Sequence, residues 1–142
     1  MTKSIRCEVV SAEASIYSGE AEQVVAAGSM GDLGILGGHT PLLTELAPGP
    51  VRIVRGGGEE DHFYVSGGFL EVQPEVVTVL ADTAVRADDL DEAAAEQARQ
   101  QALQAMNDKT AELDYTRASA ELAEAMAQLR TIQQLRRKAG RG

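Results

Sequence analysis

At Asp88 the hydrophobic period of the sequence changes, and that change limits the chain to a β-structured part followed by a helical one. Upstream, apolar residues fall in short β-branched runs at 5–10, 23–27, 51–54, 62–65, 69–73 and 76–80, separated by turn formers such as Gly67-Gly68 and Gln73-Pro74-Glu75. Runs of this kind are strand signals. Several of them at close spacing predict a β-sandwich or flattened barrel. Gly56-Gly57-Gly58 followed by Glu59-Glu60-Asp61 reads as a polar hairpin tip.

Downstream, Asp88-Asp89-Leu90-Asp91-Glu92 is a helix-start signal: Asp89 is placed to cap, Glu92 follows three residues on, and acids crowd the positive end of the helix dipole. Two helices are expected, over 90–106 and 113–138, joined by the polar loop 107–112. The first carries a stripe of Ala95, Ala98, Ala102 and Ala105; the second carries Tyr115, Ala118, Leu122, Ala125, Leu129 and Ile132. Small residues on both stripes let two antiparallel helices approach closely. Alanines bury little area at about 25 cal/mol per Å². The expectation is therefore an α+β chain whose helical hairpin is only marginally anchored and can detach.

Between residues 28 and 46 the stretch GSMGDLGILGGHTPLLTEL places glycines at 28, 31, 34, 37 and 38 around apolar residues and closes on Pro41. Glycine reaches positive φ, and proline biases the residue before it toward an extended backbone. A short buried strand between tight turns is expected. The glycine spacing is G-x-x-G-x-x-G with no Lys-Ser or Lys-Thr behind it, so a phosphate-cradling loop is rejected. His39, set among glycines, reads as a hydrogen-bonded structural histidine.

Composition excludes several classes of function. The formal net charge of −9 argues against nucleic acid as a main partner. Residues 1–87 carry 5 basic and 12 acidic side chains and residues 88–142 carry 8 and 10, yet the last 13 residues hold Arg130, Arg136, Arg137, Lys138 and Arg141 with no acid. That basic end invites an acidic partner. No apolar run approaches the ~18 residues of a membrane span, and the start MTKSIRCEVV lacks a signal-peptide core, so a soluble intracellular protein is expected. The lone Cys7, in strand alternation with Ile5 and Val9, is expected to be a buried reduced thiol. His39, His62 and Cys7 have no metal-ligand spacing. Ser66 in YVSGG lacks the first glycine of a nucleophile elbow, and no His follows residue 62. Nothing supports catalysis by this chain alone.

Taken together, GDLGILGGHTPLL at 31–43, APGPVRI at 47–53, YVSGGFLEVQPEVVTVLADTAVRADDLDEA at 64–93 and LDYTRASAELAEAMAQLR at 113–130 resemble the epsilon subunit of bacterial F-type ATP synthase. The resemblance implies a ten-stranded β-sandwich over 1–87 that binds the gamma subunit and the c-ring, and a regulatory two-helix hairpin over 88–142. It implies a non-catalytic central-stalk subunit coupling the alpha/beta catalytic head to the c-ring of a proton-translocating enzyme. Such a subunit is peripheral on the cytoplasmic side of the bacterial inner membrane and reaches the membrane only through the complex. Gly31, Asp32 and Leu33 fall on the family's c-ring loop, although Gly37 stands where the family usually has proline. The hairpin is implied to inhibit ATP hydrolysis, with Arg130, Arg136, Arg137 and Lys138 meeting acids on the beta subunits. Cations at a helix C-terminus, needing no partner, are the alternative.

Some members bind ATP through I/L-D-x-x-R-A, which Leu113-Asp114-Tyr115-Thr116-Arg117-Ala118 matches, so Asp114 and Arg117 are implied for a regulatory ATP. Glu124, at a position basic in the ATP-binding relatives, opposes phosphate there; Asp114 as a cap and an exposed Arg117 are the alternative. No other cofactor and no metal are implied. A rival reading outside the family is a free-standing acidic adaptor that binds a partner helix.

Overall fold

The structure is a computed structural model that describes residues 4–107 and 112–141, with side chains of the second helix described from 115 to 138. Nine strands are described: β1 Ile5–Ser11, β2 Ser15–Ala21, β3 Gln23–Gly28, β4 Gly31–Leu36, β5 Leu42–Val54, β6 Glu60–Val65, β7 Gly68–Val72, β8 Val76–Ala81 and β9 Ala84–Arg86. A 3₁₀ turn, Ala87–Asp89, leads to the helices α1 Glu92–Asn107 and α2 Glu112–Arg141.

Strand order is β2-β1-β8-β7-β5-β3-β4, with β6 on β5 and β9 on β6. Strand β5 passes between the two layers. Its first part pairs with β7 from Leu42↔Val72 to Leu46↔Gly68, and its second part pairs with β6 from Gly49↔Val65 to Val54↔Glu60. Pro48-Gly49-Pro50 lies where the partner changes, consistent with proline's poor fit to a continuous central ladder. Counting the two parts of β5 separately recovers the ten strands expected from the sequence.

Alternation places Ile5, Cys7, Val9, Val24, Ile35, Val51, Ile53, Phe63, Leu70, Val77 and Val79 in one aliphatic core. Phe63 is its one large buried ring, met edge-on by Tyr17 at 5.6 Å between centroids. Cys7 is fully buried, and that burial pushes its thiol up to about 12, so it is inert at neutral pH.

Three expectations are corrected. Strand β4 is an edge strand paired only with β3 and buries Ile35 alone, so the glycine stretch is not a buried strand. The helix cap is Asp91, whose Oδ1 accepts from the Ala94 N–H at 3.1 Å, because Asp88 and Asp89 are taken up in the 3₁₀ turn. Strands β2 and β9 have no predicted counterpart. The turn around Gly37 is closed by His39 N–H to Leu36 O at 3.2 Å and Gly38 N–H to Pro74 O at 3.0 Å. Ser66 Oγ serves this framework as a turn hydroxyl, accepting from the Thr83 N–H at 3.0 Å.

Gly68 sets the β7 start. Its φ is +134°, and an added Cβ would collide with the Leu80 carbonyl oxygen across the ladder. Gly57, at φ +88° in the β5–β6 tip, faces open space. Gly68→Ala is therefore expected to lower stability by about 3 kcal/mol or more and Gly57→Ala by only about 1 kcal/mol. Urea unfolding of the two variants checks the order; equal losses would contradict the geometry.

Candidate functional site

The hairpin lies on the outer face of the β3-β5-β6 layer, where alternation points Val25, Arg52 and His62 outward in one cross-strand row. Tyr64, two residues along β6, shares that face. Helix α2 is buried along two rows. The first is the expected one: Ala118, Ala125 and Ile132 are buried toward the hairpin seam, as are Ala95 and Ala102 of α1, while Ala98 and Ala105 are exposed.

The second row was not predicted. Ala127 and Thr131 are completely buried, and the Thr131 hydroxyl donates to the Ala127 carbonyl at 2.8 Å. Glu124 and Gln128 lie against the Tyr64 hydroxyl; burial first, and then the Glu124 charge, pushes Tyr64 up to about 12. Because this row is mostly polar or small, its apolar pattern is too weak to read as a buried face.

Around this contact the basic end of α2 is held by the chain itself. Arg130 donates to the Pro48 carbonyl at 3.4 Å, over Gly49, where an added Cβ would come within 2.7 Å of the Ala27 Cβ. Arg136 forks onto both oxygens of Glu92 in α1 at 2.6 and 2.9 Å. Lys138 donates to the Gly58 carbonyl at 3.2 Å and stands 3.6 Å from Glu60. Glu60, only 13% exposed, also meets His62 Nε2 at 3.1 Å and Arg52 at 3.9 Å. Arg137 lines a cleft of ≈ 310 Å³ between the helix end and the sheet, together with Val25, Asp32, Arg52, Glu60, His62, Gln134 and Lys138.

The structure thus brings three of the four predicted cations onto partners within the chain, and the fourth, Arg137, lines the cleft without an ion pair among the described residues. Arg52, Glu60, His62 and Tyr64 were not singled out for such a role, since their convergence requires the strand register. Gly31 is exposed at φ +129° next to the fully exposed Met30, and Leu33 packs against the core edge. The Asp114 side chain lies outside the described residues. Arg117 is exposed and lines neither this cleft nor a smaller one of ≈ 170 Å³ between the helices, which is walled by Glu121 and Glu124. Among the described residues no group of three or more His, Cys, Asp or Glu is placed to hold a metal, and no helix is long and apolar enough to cross a membrane.

Residues 4–87 match the family model described as ATP synthase, Delta/Epsilon chain, beta-sandwich domain, and residues 88–133 match that of its long alpha-helix domain. The chain belongs to the ATP synthase delta/epsilon family. It is 72% identical over 138 residues to the ATP synthase epsilon chain of Chromohalobacter salexigens, covering 97% of this chain and 98% of that one. As an epsilon chain it is a non-catalytic subunit of the complex. The fold recurs in the Euglena gracilis mitochondrial ATP synthase structure (OSCP/F1/c-ring, rotational state 1), with a TM-score of 0.81 at 22% identity over 87% of this chain and 78% of that one. It recurs also in the Tetrahymena thermophila mitochondrial ATP synthase central stalk and c-ring, with a TM-score of 0.60 at 12% identity over 92% and 98%.

Filling the small-residue row should lift the epsilon hairpin without unfolding the sandwich. Ala127→Leu is expected to weaken docking by about 1–3 kcal/mol. Hydrogen exchange should speed up along α2 while β1 and β8 stay protected; uniform deprotection would show that the two parts unfold as one.

Proposed function

We propose that this chain couples the catalytic head to the c-ring as a peripheral central-stalk subunit on the cytoplasmic side of the bacterial inner membrane. Its hairpin, over 88–142, restrains ATP hydrolysis when it leaves the sandwich of 1–87. The observation that carries the regulatory reading is the polar fastening of α2. Its cations are held at exposed positions by Glu92, two backbone carbonyls and the shared Glu60. Exposed ion pairs of this kind contribute little each, so acids of a beta subunit can replace them, with Arg130, Arg136, Arg137 and Lys138 as the contacting set.

The layer that does not carry the hairpin offers an apolar outer face for the gamma subunit. Phe69 stands opposite Leu80, and Leu43 lies two residues from Glu45, which pairs with Phe69; the three are 51%, 42% and 66% exposed. Neighbouring large apolar side chains exposed to this degree mark an interaction surface. For the c-ring we assign the β3–β4 tip, where Gly31, Asp32 and Leu33 follow Met30. The 113–118 motif is left out of this reading, because Glu121 and Glu124 wall the cleft between the helices and oppose phosphate. Membership of the epsilon family sets the free-standing adaptor aside.

Deleting residues 88–142 should leave assembly with gamma intact and raise ATP hydrolysis by the reconstituted complex. The full-length variant Arg130→Gln/Arg136→Gln/Arg137→Gln/Lys138→Gln should raise it as well, and Phe69→Asp should abolish gamma binding. Unchanged hydrolysis in both hairpin variants removes the inhibitory role, and loss of gamma on deletion moves the binding surface into the hairpin.

A further inference from the structure

The geometry points to a gamma-facing surface that two cations of the partner, set among apolar groups, must complete. The inference rests on the assignment of the outer face of the β1-β8-β7-β5 layer to the gamma subunit, and it names the chemistry that gamma brings there. Register lays out this face as two adjoining cross-strand rows. In one, Glu45 pairs with Phe69, Phe69 with Leu80, and Leu80 with Val10. In the other, Leu43 pairs with Glu71, Glu71 with Thr78, and Thr78 with Glu8. Strand alternation turns these side chains outward, because Leu46, Leu70, Val79 and Val9 beside them enter the core.

Across β5 and β7 the two rows form a checkerboard. Leu43 and Phe69 occupy one diagonal, and Glu45 and Glu71 occupy the other. Paired strands lie ~4.8 Å apart and like-facing residues of one strand ~7 Å apart, so each carboxylate borders an exposed apolar side chain on two sides. Neither carboxylate is neutralised within the chain. Glu45 makes no ion pair among the described residues, and Glu71 accepts a 3.4 Å bond from the neutral Gln73 amide. Arg6, on the same face of β1, is two strands away from Glu71 and already held by Glu8 at 3.2 Å and by the Ser18 hydroxyl.

A partner that covers Leu43 and Phe69 therefore takes water from both carboxylates. A carboxylate removed from water is strongly unfavourable unless a cation meets it. Gamma accordingly presents two basic side chains, one against Glu45 and one against Glu71, within an apolar patch that covers Leu43, Phe69 and Leu80. The checkerboard also selects orientation. Turning the partner through a right angle would set its apolar groups on the carboxylates and its cations on Leu43 and Phe69, a mismatch that rejects the wrong pose. Charges placed in this way speed the encounter and make it sensitive to salt.

Binding of the full-length chain to an epsilon-free complex of gamma with the alpha and beta subunits is followed kinetically at low and at high sodium chloride. Association of the unmodified chain is expected to slow severalfold at high salt. Glu45→Gln/Glu71→Gln should slow association at low salt, lose most of that salt dependence and raise the Kd roughly tenfold; Glu71→Lys should raise it further. Glutamine keeps the shape of glutamate on an outward face, so the double variant does not threaten the fold. Asp88→Asn/Glu121→Gln removes two charges from exposed positions off this layer and should leave the Kd within about twofold. Phe69→Asp tests the surface assignment separately. If it abolishes binding while Glu45→Gln/Glu71→Gln binds as tightly as the unmodified chain, gamma sits on this face and the inference about its cations is overturned. Normal binding by Phe69→Asp removes the surface assignment and the inference with it. An equal loss in Asp88→Asn/Glu121→Gln overturns the inference too, since net charge alone would then account for the effect.

Discussion

The molecule turns on how closely α2 can approach the outer face of the sheet, and two small side chains decide it. Ala127 and Thr131 are completely buried there, and neither has the bulk to hold the helix away. The sheet face that carries the hairpin presents Val25, Arg52, His62 and Tyr64. Small residues bring backbones close but remove little apolar area from water, at about 25 cal/mol per Å². The sandwich core, by contrast, buries Phe63, Leu70, three isoleucines and a series of valines. Stability is therefore unequal by construction. The sandwich supports itself, and the hairpin is held by a thin contact that surface charges complete, as the proposed regulatory detachment requires.

Charge supplies the direction of docking. The first 87 residues carry most of the net negative charge and every charged residue among the last 13 is basic, so the helix end is drawn to the sheet before any specific pair forms. Glu60 then serves as the meeting point of Arg52, His62 and Lys138. One carboxylate shared in this way leaves Lys138 only partly neutralised. That incomplete balance is a weakness for stability and an opening for an acidic partner.

Legibility in the sequence followed the range of the interactions. Strands β1, β3, β6, β7 and β8 were readable because alternating β-branched residues report burial locally. Strand β2, Ser15–Ala21, is rich in Ser, Gly and Glu, and its conformation comes from the antiparallel ladder to β1, which no local pattern encodes. The cap shifted from Asp89 to Asp91 because a run of acids offers several caps and the 3₁₀ turn consumed the first two. Within the site, Arg130, Arg136 and Lys138 stood out as unbalanced cations. Their partners did not, because those lie 44 to 82 positions away in sequence. Arg52 and His62 become neighbours only through the β5–β6 register.

Asp32 joins the two ends of the functional reading. It follows a turn that cannot relax easily: a Cβ on Gly28 would come 2.7 Å from the Gly31 carbonyl oxygen, and Gly31 itself holds φ +129°. In register with Ala27, Asp32 lies at the tip assigned to the rotor and, on the same strand face, walls the cleft that receives Arg137 and Lys138. With the hairpin docked, Asp32 shares this cleft with two cations; with the hairpin released, it does not. If a rotor group pairs with Asp32, as proposed, any difference in its interaction between the two hairpin positions acts equally in both directions. Under the proposed c-ring assignment, the glycine turn places one charge between the rotor contact and the cleft beneath the docked helix end.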